Sequence, residues 1–83
     1  MPTPDAYRSA RCLLGLTQHQ VGKLMKIRRE TVCQMESINP TTTRTWAAYL
    51  CYYDAWLREY ARLRQPQNLF AVDAILNGNT TVV

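Results

Sequence analysis

Histidine is nearly missing from this chain of 83 residues, with His19 the single example. The three cysteines, Cys12, Cys33 and Cys51, stand far apart and form no CxxC pair. One imidazole and scattered thiols give no zinc-binding spacing, so neither a metal nor another cofactor is expected. There is also no glycine-rich phosphate loop and no pair of carboxylates suited to a cleft, which argues against an enzyme. An odd number of cysteines points to reduced thiols and a cytoplasmic protein. No apolar run approaches the roughly 18 residues that span a bilayer. The opening stretch Met1-Pro2-Thr3-Pro4-Asp5 has no basic segment leading into an apolar one, so no secretory signal is expected there. Repeats, low-complexity segments and β-hairpin signals are missing too.

What remains is a short, apolar and basic chain. Hydrophobic residues make up 47% of it, enough to fold. Its length suits one domain over residues 1–83, near the lower size limit for a stable core, where association with a second copy is a common source of stability. Ten Lys and Arg against six Asp and Glu leave a net charge of +4. That balance suits a polyanionic partner, but only a motif can make it specific.

Helix signals dominate the pattern. Thr3-Pro4-Asp5 reads as an N-cap, a first-turn proline and a first-turn acid. The helix they open carries Tyr7, Ala10, Arg11 and Leu14 on one side and stops at Gly15. Thr17 and Gln20 then spell a T-x-x-Q capping box. It starts a short helix with Val21, Leu24 and Met25 as its buried stripe. Lys26-Ile27 is a turn, and a third helix over about Arg29 to Ser37 buries Val32 and Met35. The loop Asn39-Pro40-Thr41-Thr42-Thr43 leads into a long helical pattern from residue 44 to Arg64, halted by Pro66. A last short helix, near Pro66 to Asn77, offers Leu69, Val72, Ile75 and Leu76 and ends at Gly78. Asn79 to Val83 read as a loose tail or an added edge. The expected class is all-α with about five helices.

Two short helices joined by a tight turn, the second polar and basic outside, make the helix-turn-helix pattern, here over residues 17–37. Gly22 falls where the two helices would approach most closely. The same stretch resembles the Cro and phage-repressor (XRE) family. The resemblance is carried by Gly15-Leu16-Thr17-Gln18, Val21-Gly22, Leu24-Met25, Ile27, Thr31-Val32, Met35-Glu36 and Pro40, with Arg11 in the first helix. It covers about residues 6 to 45 and implies a lambda-repressor-like domain. Two residues depart from it. Lys26 stands where the family's turn usually has Gly, and Arg28 stands where Ser or Thr usually caps the recognition helix. Beyond Thr45 the sequence is unlike a standard member.

The resemblance implies a role for each matching position. Arg29, Glu30 and Gln34 would face base edges in the major groove, with Arg28 and Thr31 beside them. Gln18, Lys23, Lys26, Arg44, Asn39 and Thr41 to Thr43 would hold phosphates. Arg11 and Glu36 would pair to tie the first helix to the third. His19 would be exposed near that face. The thiols would be small apolar fillers, with Cys33 partly exposed on the recognition helix.

The long helix is too apolar for a single buried face. Trp46, Tyr49, Leu50, Tyr53, Leu57 and Tyr60 form one stripe at helical spacing. Tyr52, Trp56 and Leu63 form a second, which needs cover from the last helix or from another subunit. Aromatic residues of this kind favour interfaces. The expected function is therefore sequence-specific binding of double-stranded DNA by a small dimeric transcriptional repressor, with residues 44–78 as its dimerisation region. An antitoxin of a toxin–antitoxin pair is the alternative. It would bind operon DNA with the same motif and hold a toxin protein with its C-terminal half.

Overall fold

A computed structural model describes residues 3–37 and 44–78. Among them lie five α-helices and one short 3-10 turn, with no strand, so the fold is all-helical as expected. The loop from Asn39 to Thr43 and the tail from Asn79 to Val83 lie outside the described residues. Among the described residues no helix is long and apolar enough to cross a membrane.

Local chemistry sets the helix ends. Helix α1 spans Pro4–Leu13, and the Thr3 hydroxyl accepts a hydrogen bond from the Ala6 amide at 3.2 Å. Gly15, at φ +74°, turns the chain away in a left-handed conformation that suits glycine. Helix α2 spans Gln18–Met25 behind the complete capping box. The Gln20 amide donates to the Thr17 hydroxyl at 3.1 Å, and the Thr17 amide donates to Gln20 Oε1 at 2.8 Å. Lys26 closes α2 and leads into helix α3, Arg29–Met35. Helix α3 ends two residues short of the expected Ser37, because Glu36 and Ser37 form a turn.

Helix α4, Arg44–Arg64, has 21 residues and is therefore about 31 Å long at 1.5 Å per residue, matching the 32 Å longest dimension of the molecule. Its buried line is Leu50, Tyr53, Leu57 and Ala61, spaced three and four apart so that they share one face. Pro66 opens the 3-10 turn Pro66–Asn68, and helix α5, Leu69–Leu76, folds back with Val72 and Leu76 inward. Two polar links hold that return. Gln65 Nε2 donates to the Leu14 carbonyl at 3.1 Å. Arg58 binds Asp54 and Asp73 at 2.7 Å each and Asn77 at 2.9 Å.

The core joins Tyr7, Ala10, Leu14 and Leu16 to Val21 and Met25, to Val32 and Met35, and to the inner faces of α4 and α5. Burying one such large apolar side chain contributes about 1.5–3 kcal/mol.

The packing corrects three expectations. Leu24 is 52% exposed instead of buried. At about 100° per residue, Val21, Met25 and Gly22 share one arc of α2, and Leu24 lies beyond its Val21 edge, on the side away from Gly22. Cys12 and Cys51 are exposed, so they fill no core, while Cys33 is partly buried as expected. The two stripes of α4 also do not separate as expected. Tyr49 leaves the first for the surface. Trp56, assigned to a dimer interface, packs on the protein's own core and stacks on Tyr60 with ring centroids 5.2 Å apart. Helix α5 leaves part of α4 uncovered, so Tyr52 (50% exposed) and Leu63 (62% exposed) stay at the surface.

Candidate nucleic-acid interface

The connection between α2 and α3 is tight because of two residues. Lys26 adopts φ 61° and ψ 42°, the left-handed conformation that glycine takes most easily. Its amide and that of Ile27 cap α2, the Ile27 amide reaching the Gly22 carbonyl at 2.9 Å. Gly22 itself is buried against the turn. A Cβ there would lie 3.0 Å from the Ile27 carbonyl oxygen and 3.3 Å from the Arg29 amide nitrogen. Those neighbours are backbone, so they cannot move aside as a side chain would. The close approach expected at Gly22 is present, made by the turn and the first residue of α3.

Helix α3 has one buried side, Val32 and Met35, and an outer side of Arg29, Glu30 and Gln34, all exposed. Thr31 is half-buried beside them, and Arg28 is exposed at the N-cap. Arg28 gives no side-chain cap, so the first amides of α3 have no side-chain acceptor from it. The structure thus brings Arg28, Arg29, Glu30, Thr31 and Gln34 together on one short helix. Lys23 and Lys26 are exposed on α2 and its turn, His19 is exposed on the first turn of α2, and Arg44 is exposed at the start of α4. Asn39, Thr41 and Thr43, expected to hold phosphates, lie outside the described residues.

Charge is distributed unevenly. Among the described residues, the ion pairs engage Arg8 with Asp5, Arg11 with Glu36, Arg58 with Asp54 and Asp73, and Arg62 with Glu59. None of them involves Lys23, Lys26, Arg28 or Arg29. These four cations share their segment with one exposed acid, Glu30. Such a surface attracts polyanions, and an unpaired guanidinium keeps its donors free for a ligand.

Behind that face lies a buried carboxylate. Glu36, at the end of α3, is 3% exposed. Arg11 of α1 gives it Nε at 2.9 and 3.1 Å, and Nη1 of the same side chain donates to the Leu16 carbonyl at 2.8 Å. The expected Arg11–Glu36 pair is therefore present. Burial opposes the charge of Arg11, but the hydrogen bond and charge of Glu36 outweigh it and hold the pKa above its usual value. Gln18 Nε2 donates to Glu36 Oε1 at 3.2 Å, so one of its two amide hydrogens is engaged within the protein.

Sequence reasoning missed the third partner, the Tyr53 hydroxyl of α4, which donates to Glu36 Oε2. Burial, then the hydrogen bond and charge of Glu36, push the Tyr53 phenol well above its ordinary range. The Tyr53 ring stacks on Tyr7 with centroids 5.3 Å apart, and the Tyr7 hydroxyl donates to the Leu50 carbonyl at 3.3 Å. Burial, with the charge of Asp54 next, raises the Tyr7 pKa to about 12. Helical spacing marks Tyr53 as a core residue, but nothing in one sequence says where its hydroxyl points.

Among the described residues no group of three His, Cys, Asp or Glu side chains gathers in a way that could hold a metal ion. No protein-family model, no curated protein and no solved structure matches the chain.

Proposed function

We propose that this chain is a small transcriptional repressor of about five helices that binds double-stranded DNA as a dimer, with α2 and α3 as its helix-turn-helix. One observation carries the reading: Lys23, Lys26, Arg28 and Arg29 cluster on α2, its turn and the start of α3, exposed and with no ion pair among the described residues, whereas Arg8, Arg11, Arg58 and Arg62 are held by carboxylates and the other unpaired cations, Arg44 and Arg64, stand singly at the two ends of α4. In this reading α3 enters the major groove. Arg29 and Gln34 bind base edges through paired donors or a donor and an acceptor, and Glu30 accepts from a base amine. Arg28 and Thr31 stand beside them at the base edges, and Lys23, Lys26, Arg44 and the second amide hydrogen of Gln18 bind the phosphate backbone. The protein works by binding, without chemistry of its own.

Dimerisation would use the outer face of α4, where Tyr52 and Leu63 are exposed, and would set two α3 helices about 34 Å apart over an inverted repeat. Selection of bound sites from random duplex DNA tests the reading directly. The expected product is one preferred site with two-fold symmetry; recovery of no preferred sequence would sink it. On that site Arg29→Ala is expected to cost about 1–3 kcal/mol of binding and to relax preference at one base position. A loss equal across unrelated duplexes would move Arg29 to the phosphates.

The antitoxin reading keeps the same DNA face and makes a toxin protein the ligand of the C-terminal half. It is favoured by the apolar groups left at that surface, Tyr49, Tyr52 and Leu63 on α4 and Phe70, 84% exposed, on α5. Co-expression with the neighbouring gene separates the two, because a repressor alone purifies as a homodimer and an antitoxin purifies with its toxin.

A further inference from the structure

We propose that Tyr53 is a positioning residue for the DNA-binding face: its hydroxyl, through the Glu36 carboxylate, fixes the Gln18 amide and the end of α3 against α4. The inference rests on the DNA-binding reading above and adds a residue to it from the part of the chain that lacks the family resemblance. Helix α3 is only seven residues long, and no side chain caps its start. Short helices take little stability from their own hydrogen bonds, so neighbours decide where α3 sits. Val32 and Met35 anchor it by packing, which is non-directional. Glu36 supplies the direction.

The two Glu36 oxygens accept from three different helices. Arg11 comes from α1, Gln18 from the first turn of α2 and Tyr53 from α4. Gln18 and Tyr53 bind different oxygens, Oε1 and Oε2, so rotating the carboxylate to satisfy one disturbs the other. Losing the phenol donor leaves Oε2 to Arg11 alone in a buried site. The carboxylate then turns toward its remaining donors, and the amide that should meet a phosphate follows it. Buried networks of this kind couple their members beyond the sum of pairs.

Tyr53→Phe isolates the effect, because it keeps the ring and its stack on Tyr7 and removes one oxygen. Tyr7→Phe serves as the control, since it removes a buried hydroxyl that bonds the Leu50 carbonyl and does not touch Glu36. Each protein is first shown to be fully folded by circular dichroism at the temperature of the assay, so that binding is compared per folded molecule.

Two readouts follow. In amide NMR spectra of the free protein, Tyr53→Phe is expected to shift the Gln18 side-chain amide and the backbone amides of Arg29 to Glu36, and Tyr7→Phe is expected to leave them in place. On the selected duplex Tyr53→Phe is expected to weaken binding about tenfold, the scale of one hydrogen bond to a charged group. That loss should shrink when Gln18 is already Ala, as coupled residues require.

Unshifted Gln18 and α3 signals, or full affinity and simple additivity with Gln18→Ala, would overturn the proposal and leave the DNA reading standing. A wild-type protein that selects no duplex would instead overturn the DNA reading, and the positioning role with it. Should Tyr53→Phe fail to fold, 3-fluorotyrosine at position 53 tests the same link with the same readouts, since it keeps the ring and the hydroxyl and changes only the strength of the hydroxyl as a donor to Glu36; unshifted Gln18 and α3 signals would again overturn the proposal.

Discussion

Arg11 and Arg29 lie on neighbouring parts of one small protein and carry the same group in opposite circumstances. Arg11 is enclosed, its Nε held by both Glu36 oxygens and its Nη1 by the Leu16 carbonyl, so its charge and these donors are engaged within the protein. Arg29 is exposed on α3 with no ion pair among the described residues. The difference separates two uses of positive charge. A buried cation with a carboxylate is costly to break and fixes helix placement, whereas an exposed one contributes little to folding and is available to a ligand. The expectation that follows is a division of labour, with stability in the Arg11–Glu36–Tyr53 cluster and binding on the outside of α3.

The strongest way to test that division is to remove the enclosed cation. Arg11→Ala leaves Glu36 charged and buried, and should cost about 3–5 kcal/mol in urea unfolding. A cost below about 1 kcal/mol, the range of exposed pairs, would erase the distinction. Trp56→Arg comes next, because Trp56 packs on the core and on Tyr60. A charge there should destabilise the fold by about 2–3 kcal/mol, as loss of a large apolar contact does. A fold of unchanged stability with a monomeric sedimentation coefficient would return Trp56 to the interface that its spacing first suggested.

Gly22→Ala tests the geometry that supports α3. Its Cβ would meet the Ile27 carbonyl at 3.0 Å, and backbone must shift, at a cost of about 1–3 kcal/mol. DNA affinity per folded molecule should fall as well, because the shift moves the start of α3. The smallest effect is expected at the turn, where Lys26→Gly relieves a left-handed non-glycine residue and should raise stability by about 1 kcal/mol. It should also lower the salt dependence of DNA binding by about one phosphate contact. A gain in stability with unchanged salt dependence would take Lys26 off the DNA.

The helices were largely legible before any coordinates. The Thr17–Gln20 box, Gly15, Pro66 and Gly78 all mark ends where the structure has them, because capping and backbone restriction act within a few residues. The placement of Gly22 and the Arg11–Glu36 pair were legible as well, the first from helix spacing and the second from resemblance. Less legible were Leu24 and the second aromatic stripe. Periodicity says which residues share a side of a helix, but the number of sides that neighbours cover is a tertiary matter. Helix α2 is covered on an arc that stops short of Leu24, and α5 leaves Tyr52 and Leu63 uncovered.

The sequence by itself determined the helical class, the ends of the elements, the position of the tight turn and the grouping of cations around α3. These depend on residues close together in the chain, whose backbone preferences and spacing operate locally. Only the tertiary structure decided that Arg58 reaches Asp73 on α5, that Trp56 packs against the core, and that Tyr53 reaches from α4 to Glu36. Those outcomes depend on contacts between residues far apart in the chain, 15 positions for Arg58 and Asp73 and 17 for Tyr53 and Glu36, which packing of the whole chain sets and no local rule contains.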